Sequence, residues 1–245
     1  MEKQRLDQSL VARGLVSSRS QAESWIKLGK VTVNGREITK PGYFVGPDAV
    51  LKLKIKEQYV SRAGLKLASV AAALKLDFKG AVVLDVGSST GGFTDFALRH
   101  GARKVIAVDV GTNQLHPSLH GHPSIELHEQ TDIRDMQRLS DTPDIVVIDV
   151  SFISLRDILP HVANLSGPQT RVVAMVKPQF EAGSGAKHKG VIKNDAMRRD
   201  ILRDFEAWVK GLFVIGNKAD SDVAGAKGNR ERFYLLHKPV SARHL

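Results

Sequence analysis

The sequence predicts an α/β protein: a doubly wound sheet of seven strands preceded by a small α+β unit. Three observations carry that expectation. From Lys79 onward short β-branched runs alternate with helical stretches; the first run ends in a glycine-rich turn; and residues 1–58 follow a different pattern of two short helices and a hairpin signal. With 245 residues and 42% hydrophobic content, the chain can bury a full core, which argues against disorder or a small cross-linked scaffold.

In the first unit, Arg5 to Val11 has a helical pattern that ends at Gly14, and Ser17, Ser18 and Ser20 offer caps for a second helix. That helix carries Ala22, Trp25, Ile26 and Leu28 and stops at Gly29. The run Val31-Thr32-Val33 before Asn34-Gly35 is a hairpin signal, a second turn lies at Pro41-Gly42, and alternation from Val50 to Ile55 predicts a strand. A linker and leading helix are expected over 59–78. In the remainder, 79–245, strands are predicted at Ala81–Val86, Lys104–Val110, Ser124–His128, Asp144–Val150, Arg171–Val176, Leu212–Asn217 and Glu231–Leu236. Helices are expected at Phe93–His100, Leu155–Leu165 and Ala196–Lys210, and a mobile loop at Ala182–Lys193. Such alternation places ligands at the carboxyl ends of the strands.

Thirty-six basic against 26 acidic side chains give a net charge of +10, which favours polyanionic partners. Residues 1–58 hold 11 basic and 6 acidic side chains, so half of the excess sits in less than a quarter of the chain. The absence of cysteine excludes disulfides, iron–sulfur clusters, thiolate zinc sites and cysteine nucleophiles. Neither a targeting segment at Met1 to Arg5 nor an apolar run of membrane-spanning length is visible, so a cytosolic protein without membrane contact is expected.

The segment Asp85-Val86-Gly87-Ser88-Ser89-Thr90-Gly91-Gly92-Phe93-Thr94 follows the first predicted strand of the sheet. Its glycines allow backbone to approach a ligand, and Asp85 is a fixed acceptor suited to a cationic, amino-acid-like end. The spacing departs from the dinucleotide fingerprint and lacks a P-loop lysine. Asp109, at the end of the second strand and followed by Val110, can hold the two hydroxyls of an adenosine ribose, a role compatible with either S-adenosylmethionine or NAD. Asp132 and Ile133 are candidate adenine contacts. Asp149 and Lys177 each follow a later strand core and are expected over the same sheet edge, with Glu231 arriving at the last strand and Lys66 just ahead of the sheet. His116, His120 and His122 have possible ligand spacing, but an irregular loop without cysteine leads us to expect no metal.

The first unit resembles the ribosomal-protein-S-four-type (αL) RNA-binding domain through Arg5-Leu6-Asp7, Ser18-Arg19, Gly29-Lys30-Val31, Val33-Asn34-Gly35 and Lys40-Pro41-Gly42. Arg5, Arg13, Arg19, Lys27, Lys30 and Arg62 are the candidate RNA contacts. Nearly the whole chain resembles the TlyA-type (haemolysin-labelled) rRNA 2′-O-methyltransferases, whose catalytic domain is of the FtsJ type. The matching segments are Ser61-Arg62-Ala63-Gly64-Leu65-Lys66-Leu67, the glycine-rich turn, Asp149-Val150-Ser151-Phe152-Ile153-Ser154-Leu155, Val176-Lys177-Pro178-Gln179-Phe180-Glu181 and Gly228-Asn229-Arg230-Glu231. His116 to Ser124, Asp132 and Asp222 depart from the family pattern.

This resemblance implies a Rossmann-like methyltransferase sheet, S-adenosylmethionine as cofactor, a cytidine of ribosomal RNA or a ribosomal subunit as partner, and a monomer. It also implies a Lys-Asp-Lys-Glu tetrad at Lys66, Asp149, Lys177 and Glu231. Cysteine-dependent C5 methylation is excluded by composition, and the stretch after Asp149 lacks the Asn/Asp-Pro-Pro-Tyr pattern of base-amino methylation, which leaves ribose chemistry. The rival expectations are a nicotinamide oxidoreductase, a non-catalytic RNA-binding or ribosome-assembly factor, and a membrane-active haemolysin.

Overall fold

In a computed structural model of the protein, described for residues 3–16, 19–27, 29–54, 59–182, 192, 194–225 and 228–239, the chain opens with β1 (Gln4–Arg5), α1 (Leu6–Ala12) and α2 (Arg19–Lys27). β2 (Val31–Val33), β3 (Arg36–Glu37), β4 (Phe44–Val45) and β5 (Leu51–Leu53) follow. β2 pairs with β3 and β5, and β1 pairs with β4. Leu6, Leu10, Ala22 and Ile26 are fully buried between the helices and this small sheet.

The rest is α3 (Arg62–Ala71), β6 (Val82–Val86), α4 (Gly92–Arg99), β7 (Lys104–Val108), β8 (Ile125–His128), β9 (Ile145–Ile148), α5 (Leu155–Leu165), β10 (Arg171–Val176), α6 (Pro178–Glu181), α7 (Asp195–Val209), β11 (Val214–Asp220) and β12 (Arg232–His237). The strands form one seven-stranded sheet in the order β11-β12-β10-β9-β6-β7-β8, with β12 antiparallel to both neighbours. Buried on both faces, β6 is apolar apart from Asp85. Val83 packs into the cluster that holds α3 and α4, whereas Val82, Leu84 and Val86 face the cluster with α5 and α7. The strand order reverses between β6 and β9, which opens a crevice beyond their carboxyl ends.

Several predicted boundaries move, each for a local reason. Arg5 pairs with Phe44 as a strand residue, so α1 begins at Leu6. Val50 donates its N–H to the Asn34 side chain, 2.8 Å away, and β5 therefore starts one residue later. β7 ends at Val108 because the Asp109 carboxylate turns back to accept from Gly111 N–H at 2.7 Å, leaving Val110 off the ladder. β9 is trimmed to Ile145–Ile148. β11 lies further along than expected: Leu212 and Phe213 finish the turn after α7, and a bulge between Ile215 and Asn217 extends pairing to Asp220. The serines 17 and 18, Leu28, Ile55 and nearly all of the predicted 182–193 loop lie outside the described residues.

α3 and α4 pack closely enough to need Gly92: a Cβ there would collide with Ser61 Oγ and lie 2.8 Å from Gly64 N. The segment between the two parts is seated on α4. Tyr59 packs against Phe96 with tilted rings 5.4 Å apart, Val60 N–H donates to Asp95 at 2.9 Å, and Gln21 of α2 donates to the Tyr59 carbonyl at 2.7 Å.

Candidate functional site

Two adjoining cavities occupy the crevice. The larger, about 480 Å³, is bounded by Gly87, Asp109, Val110, Asp132, Ile133, Asp149 and Phe152, among others. The smaller, about 150 Å³, is lined by Asp85, Gly87, Ser88, Ser89, Thr90, Phe93, Asp149, Ser151 and Lys177, with Ala63 at its edge. Gly87, Ser89, Asp149 and Ser151 border both. Gly87 has φ +79°, and a Cβ there would lie 2.8 Å from the Asp149 carbonyl, so only glycine lets the turn after β6 pass the end of β9.

Asp85 is fully buried. Its Oδ2 accepts from Thr94 Oγ1 at 2.6 Å, while Oδ1 has no hydrogen-bond partner; the buried Ser88 Oγ is likewise unpaired. Burial pushes the Asp85 carboxyl up to about 7, the nearby Asp149 charge adds to the rise, and the Thr94 hydrogen bond opposes it. An orphaned buried carboxylate oxygen beside a cavity fits a ligand that brings an ammonium group.

Asp109 anchors the turn by accepting from Ser89 N–H at 2.8 Å as well as from Gly111, and it still borders the larger cavity. The Asp132 side chain is engaged by Arg134 at 2.6 to 3.1 Å, and that hydrogen bonding holds its carboxyl below the usual range. The apolar lining around it comes from Val110, Ile133, Ile153 and Ile158. Gly91 and Gly92 border neither cavity: the space beside Gly91 is filled by Leu115 and Leu119, and that beside Gly92 by Ser61 and Ala63.

Strand register assembles the four charged candidates. Val176 pairs with Arg232, which puts Lys177 and Glu231 opposite one another at the end of the β10–β12 ladder. β9 pairs in parallel with β10, and so delivers Asp149 to the same edge. Lys177 Nζ lies 2.5 Å from Asp149 Oδ1 and donates to Ser151 Oγ at 2.7 Å; Lys66 Nζ lies 2.6 Å from Glu231 Oε2. Both lysines and Glu231 are buried. The result is two ion pairs: Lys177–Asp149 lines the smaller cavity, and Lys66–Glu231 borders neither cavity.

The predicted RNA contacts divide. Arg5 and Arg19 both hold the buried Asp7 at 2.9 Å, and the Arg5 hydrogen bonds in particular bring its carboxyl down to about 2. Arg13 donates to the carbonyls of Gly46, Pro47 and Ala49, and Arg62 to that of Ala224. Lys27 and Lys30 are exposed and join no ion pair among the described residues. Among those residues no group of histidine and acidic side chains could hold a metal, and His120 instead contacts the Leu115 carbonyl at 2.8 Å.

Residues 59–238 match the family of FtsJ-like methyltransferases, and residues 4–51 match the S4 domain. The chain belongs to the FtsJ-like methyltransferase family. It is 37% identical over 239 residues to the Mycobacterium tuberculosis 16S/23S rRNA (cytidine-2′-O)-methyltransferase TlyA, covering 95% of this chain and 89% of that protein. It is also 37% identical to Hemolysin A of Brachyspira hyodysenteriae over 238 residues, 95% of this chain and 98% of that one. A solved Streptococcus thermophilus structure bearing the hemolysin label is 38% identical, with a TM-score of 0.72 over 97% of this chain and 89% of that chain. Among the described residues no helix is long and apolar enough to cross a membrane.

Two further residues that border the cavities, Ser151 and Phe152, lie inside the matching segment Asp149 to Leu155 but are not among the candidates that the sequence points to. Ser151 holds Lys177. Phe152 is 92% exposed, has φ +66° and packs against Phe180 in a tilted arrangement with ring centroids 5.3 Å apart. An exposed aromatic held in a left-handed conformation is unfavourable for folding and points to use at a site. The signal was the phenylalanine itself, two residues beyond the turn's aspartate-valine pair, where a solvent-facing turn would carry a polar residue.

Proposed function

We propose that the chain methylates a ribose 2′-hydroxyl of ribosomal RNA, with cytidine as the target, using S-adenosylmethionine. The observation that carries the reading is the Lys177–Asp149 pair lining a polar cavity with an orphaned carboxylate, where Asp149 also borders the larger, mostly apolar cavity. The names of the tuberculosis relative and of the matched family support it. Asp85 and Ser88 would hold the amino-acid end of the cofactor, with Gly87, Ser89, Thr90 and Phe93 around it. Asp109 would take the ribose hydroxyls, and Val110, Ile133 and the Asp132 backbone would border the adenine. When bound, the cofactor supplies a methyl group activated by a sulfonium.

The chain's own residues align the ribose oxygen and manage its proton. Asp149 and Ser151 fix Lys177 Nζ, leaving one N–H direction for the incoming oxygen, and Lys177 takes the hydroxyl proton or holds the alkoxide that replaces it. Lys66, kept in place by Glu231, supplies positive field behind Lys177. Lys27 and Lys30 contribute phosphate contacts that position the RNA without reading its sequence. The cytosolic site of action follows from a ribosomal substrate.

Incubation of the protein with methyl-labelled S-adenosylmethionine and ribosomal subunits should give one 2′-O-methylcytidine, located by reverse-transcription stops at low nucleotide concentration. Label in a base, or RNA binding with no label transferred, would sink the reading. Phe152→Ala should raise KM for RNA roughly tenfold, the loss of one stacked base, while cofactor affinity changes by less than about threefold. A rise confined to the cofactor's Kd would place Phe152 in the cofactor site instead.

A further inference from the structure

Among the described residues seven large apolar side chains are exposed. Val110 and Phe152 rim the larger cavity, and Leu127 and Val214 lie on the edge strands β8 and β11. The other three, Tyr43 at 42%, Phe44 at 59% and Val50 at 54%, belong to the small N-terminal unit and lie far along the chain from the methyltransferase machinery.

Tyr43 and Phe44 sit at the β1–β4 ribbon, where Arg5 is paired with Phe44 and the Arg5 guanidinium lies against Gly42, its Nη1 3.3 Å from the position a Cβ would take. The ribbon is rigidly held: Leu6 N–H donates to the Tyr43 carbonyl at 2.7 Å, and Arg13 ties down the Gly46–Ala49 turn through three carbonyls. Lys3, Arg13 and Lys40 are exposed near it in the chain. Glu37 and Asp48 are the exposed acids of residues 3–50, because Asp7 is buried and consumed by Arg5 and Arg19. Two solvent-facing rings on a fixed backbone, among cations with little acidic competition, match a ligand that combines negative charge with accessible π-faces.

We propose that Tyr43 and Phe44 form a stacking platform for unpaired RNA bases, making the N-terminal unit a reader of single-stranded loops as well as a phosphate clamp. The ligand class rests on the ribosomal RNA reading above; the placement on β4 does not depend on the methyltransferase site. A duplex keeps its bases stacked internally and cannot use the rings, whereas a loop with splayed bases can.

The full-length protein is titrated with a fluorescein-labelled RNA stem–loop carrying a long unpaired loop, and with a blunt duplex made from the same stem. Tyr43→Ala and Phe44→Ala should each weaken stem–loop binding roughly fivefold to a hundredfold, the range measured for a lost base stack, and leave duplex binding within about twofold. The slope of log affinity against log salt should be unchanged in both, because no phosphate contact is removed, while Lys40→Ala should flatten it by about one contact. Phe44→Trp should retain stem–loop affinity. Both rings are exposed, so the melting temperature should not move. Alanine variants that bind the stem–loop as tightly as wild type, or that lose stem–loop and duplex equally, overturn the platform and leave the ribosomal reading standing. A wild-type protein that binds neither RNA overturns the ribosomal reading and the platform with it.

Discussion

Asp85→Asn should weaken cofactor binding by at least about a hundredfold and at the same time make the unliganded protein more stable above neutral pH. The carboxyl sits at about 7 in the folded chain because burial penalises its charge, against about 3.9 when unfolded. Between those values the folded state holds a proton that the unfolded state has lost, so stability falls as pH rises through this window and the penalty is complete above it. A difference of about 3 units corresponds to roughly 4 kcal/mol at full ionisation. Asparagine removes that term and can still accept from Thr94. The variant's gain in melting temperature should therefore be close to zero near pH 4, grow toward pH 7 and level off beyond it. Cofactor affinity should move the other way. A carboxylate facing an ammonium strengthens binding, so wild-type affinity should decline as pH drops below about 7, whereas the residual affinity of Asp85→Asn, weaker by at least about a hundredfold for a lost buried charge pair, should be flat with pH. Thermal scans and calorimetric titrations from pH 4 to pH 8 would check both halves. A destabilised variant at pH 8 would mean that the orphaned Oδ1 has a partner in solution and that the carboxylate is structural.

The same residue shows what could be read ahead of the coordinates. Its place at the end of a fully apolar strand, before glycines, was enough to expect a ligand site, because strand alternation and turn chemistry are local properties of the chain. The seven-stranded sheet was legible for that reason too. What escaped was set by contacts between distant segments. Arg5, Arg13 and Arg19 look like free cations in sequence, yet two of them neutralise one buried aspartate and the third closes a turn. Gly91 and Gly92 read as ligand glycines, whereas their missing side chains make room for Leu115, Leu119 and α3. Asp132 looked available until Arg134 was found on it. The pairing of the four charged residues likewise depends on β10–β12 register, which no local pattern specifies.

The two ion pairs of the tetrad lead to opposite expectations for their lysines. Lys177→Ala should lower kcat by a factor of about 10³ or more, in line with the loss of a positioned acid–base group, with cofactor affinity within about tenfold. On the proposed mechanism Lys177, Asp149 and Ser151 act on one proton, so adding Asp149→Ala should cost little further, as expected for residues that work as a unit. Lys66 does not border either cavity, so its removal acts first on the fold. It leaves Glu231 buried without its counter-ion, a loss of about 3–5 kcal/mol. Lys66→Met combined with Glu231→Gln removes both charges and should recover most of that stability, since a buried pair and an apolar replacement are often nearly equivalent. Turnover then separates two roles that stability alone confounds. If Lys66 tunes Lys177 through its charge, the double variant folds like wild type and remains slow, with a pH–rate profile shifted to higher pH as the base loses its positive neighbour. Should turnover return together with stability, the Lys66–Glu231 pair is scaffolding, and Lys177 with Asp149 carries the chemistry by itself.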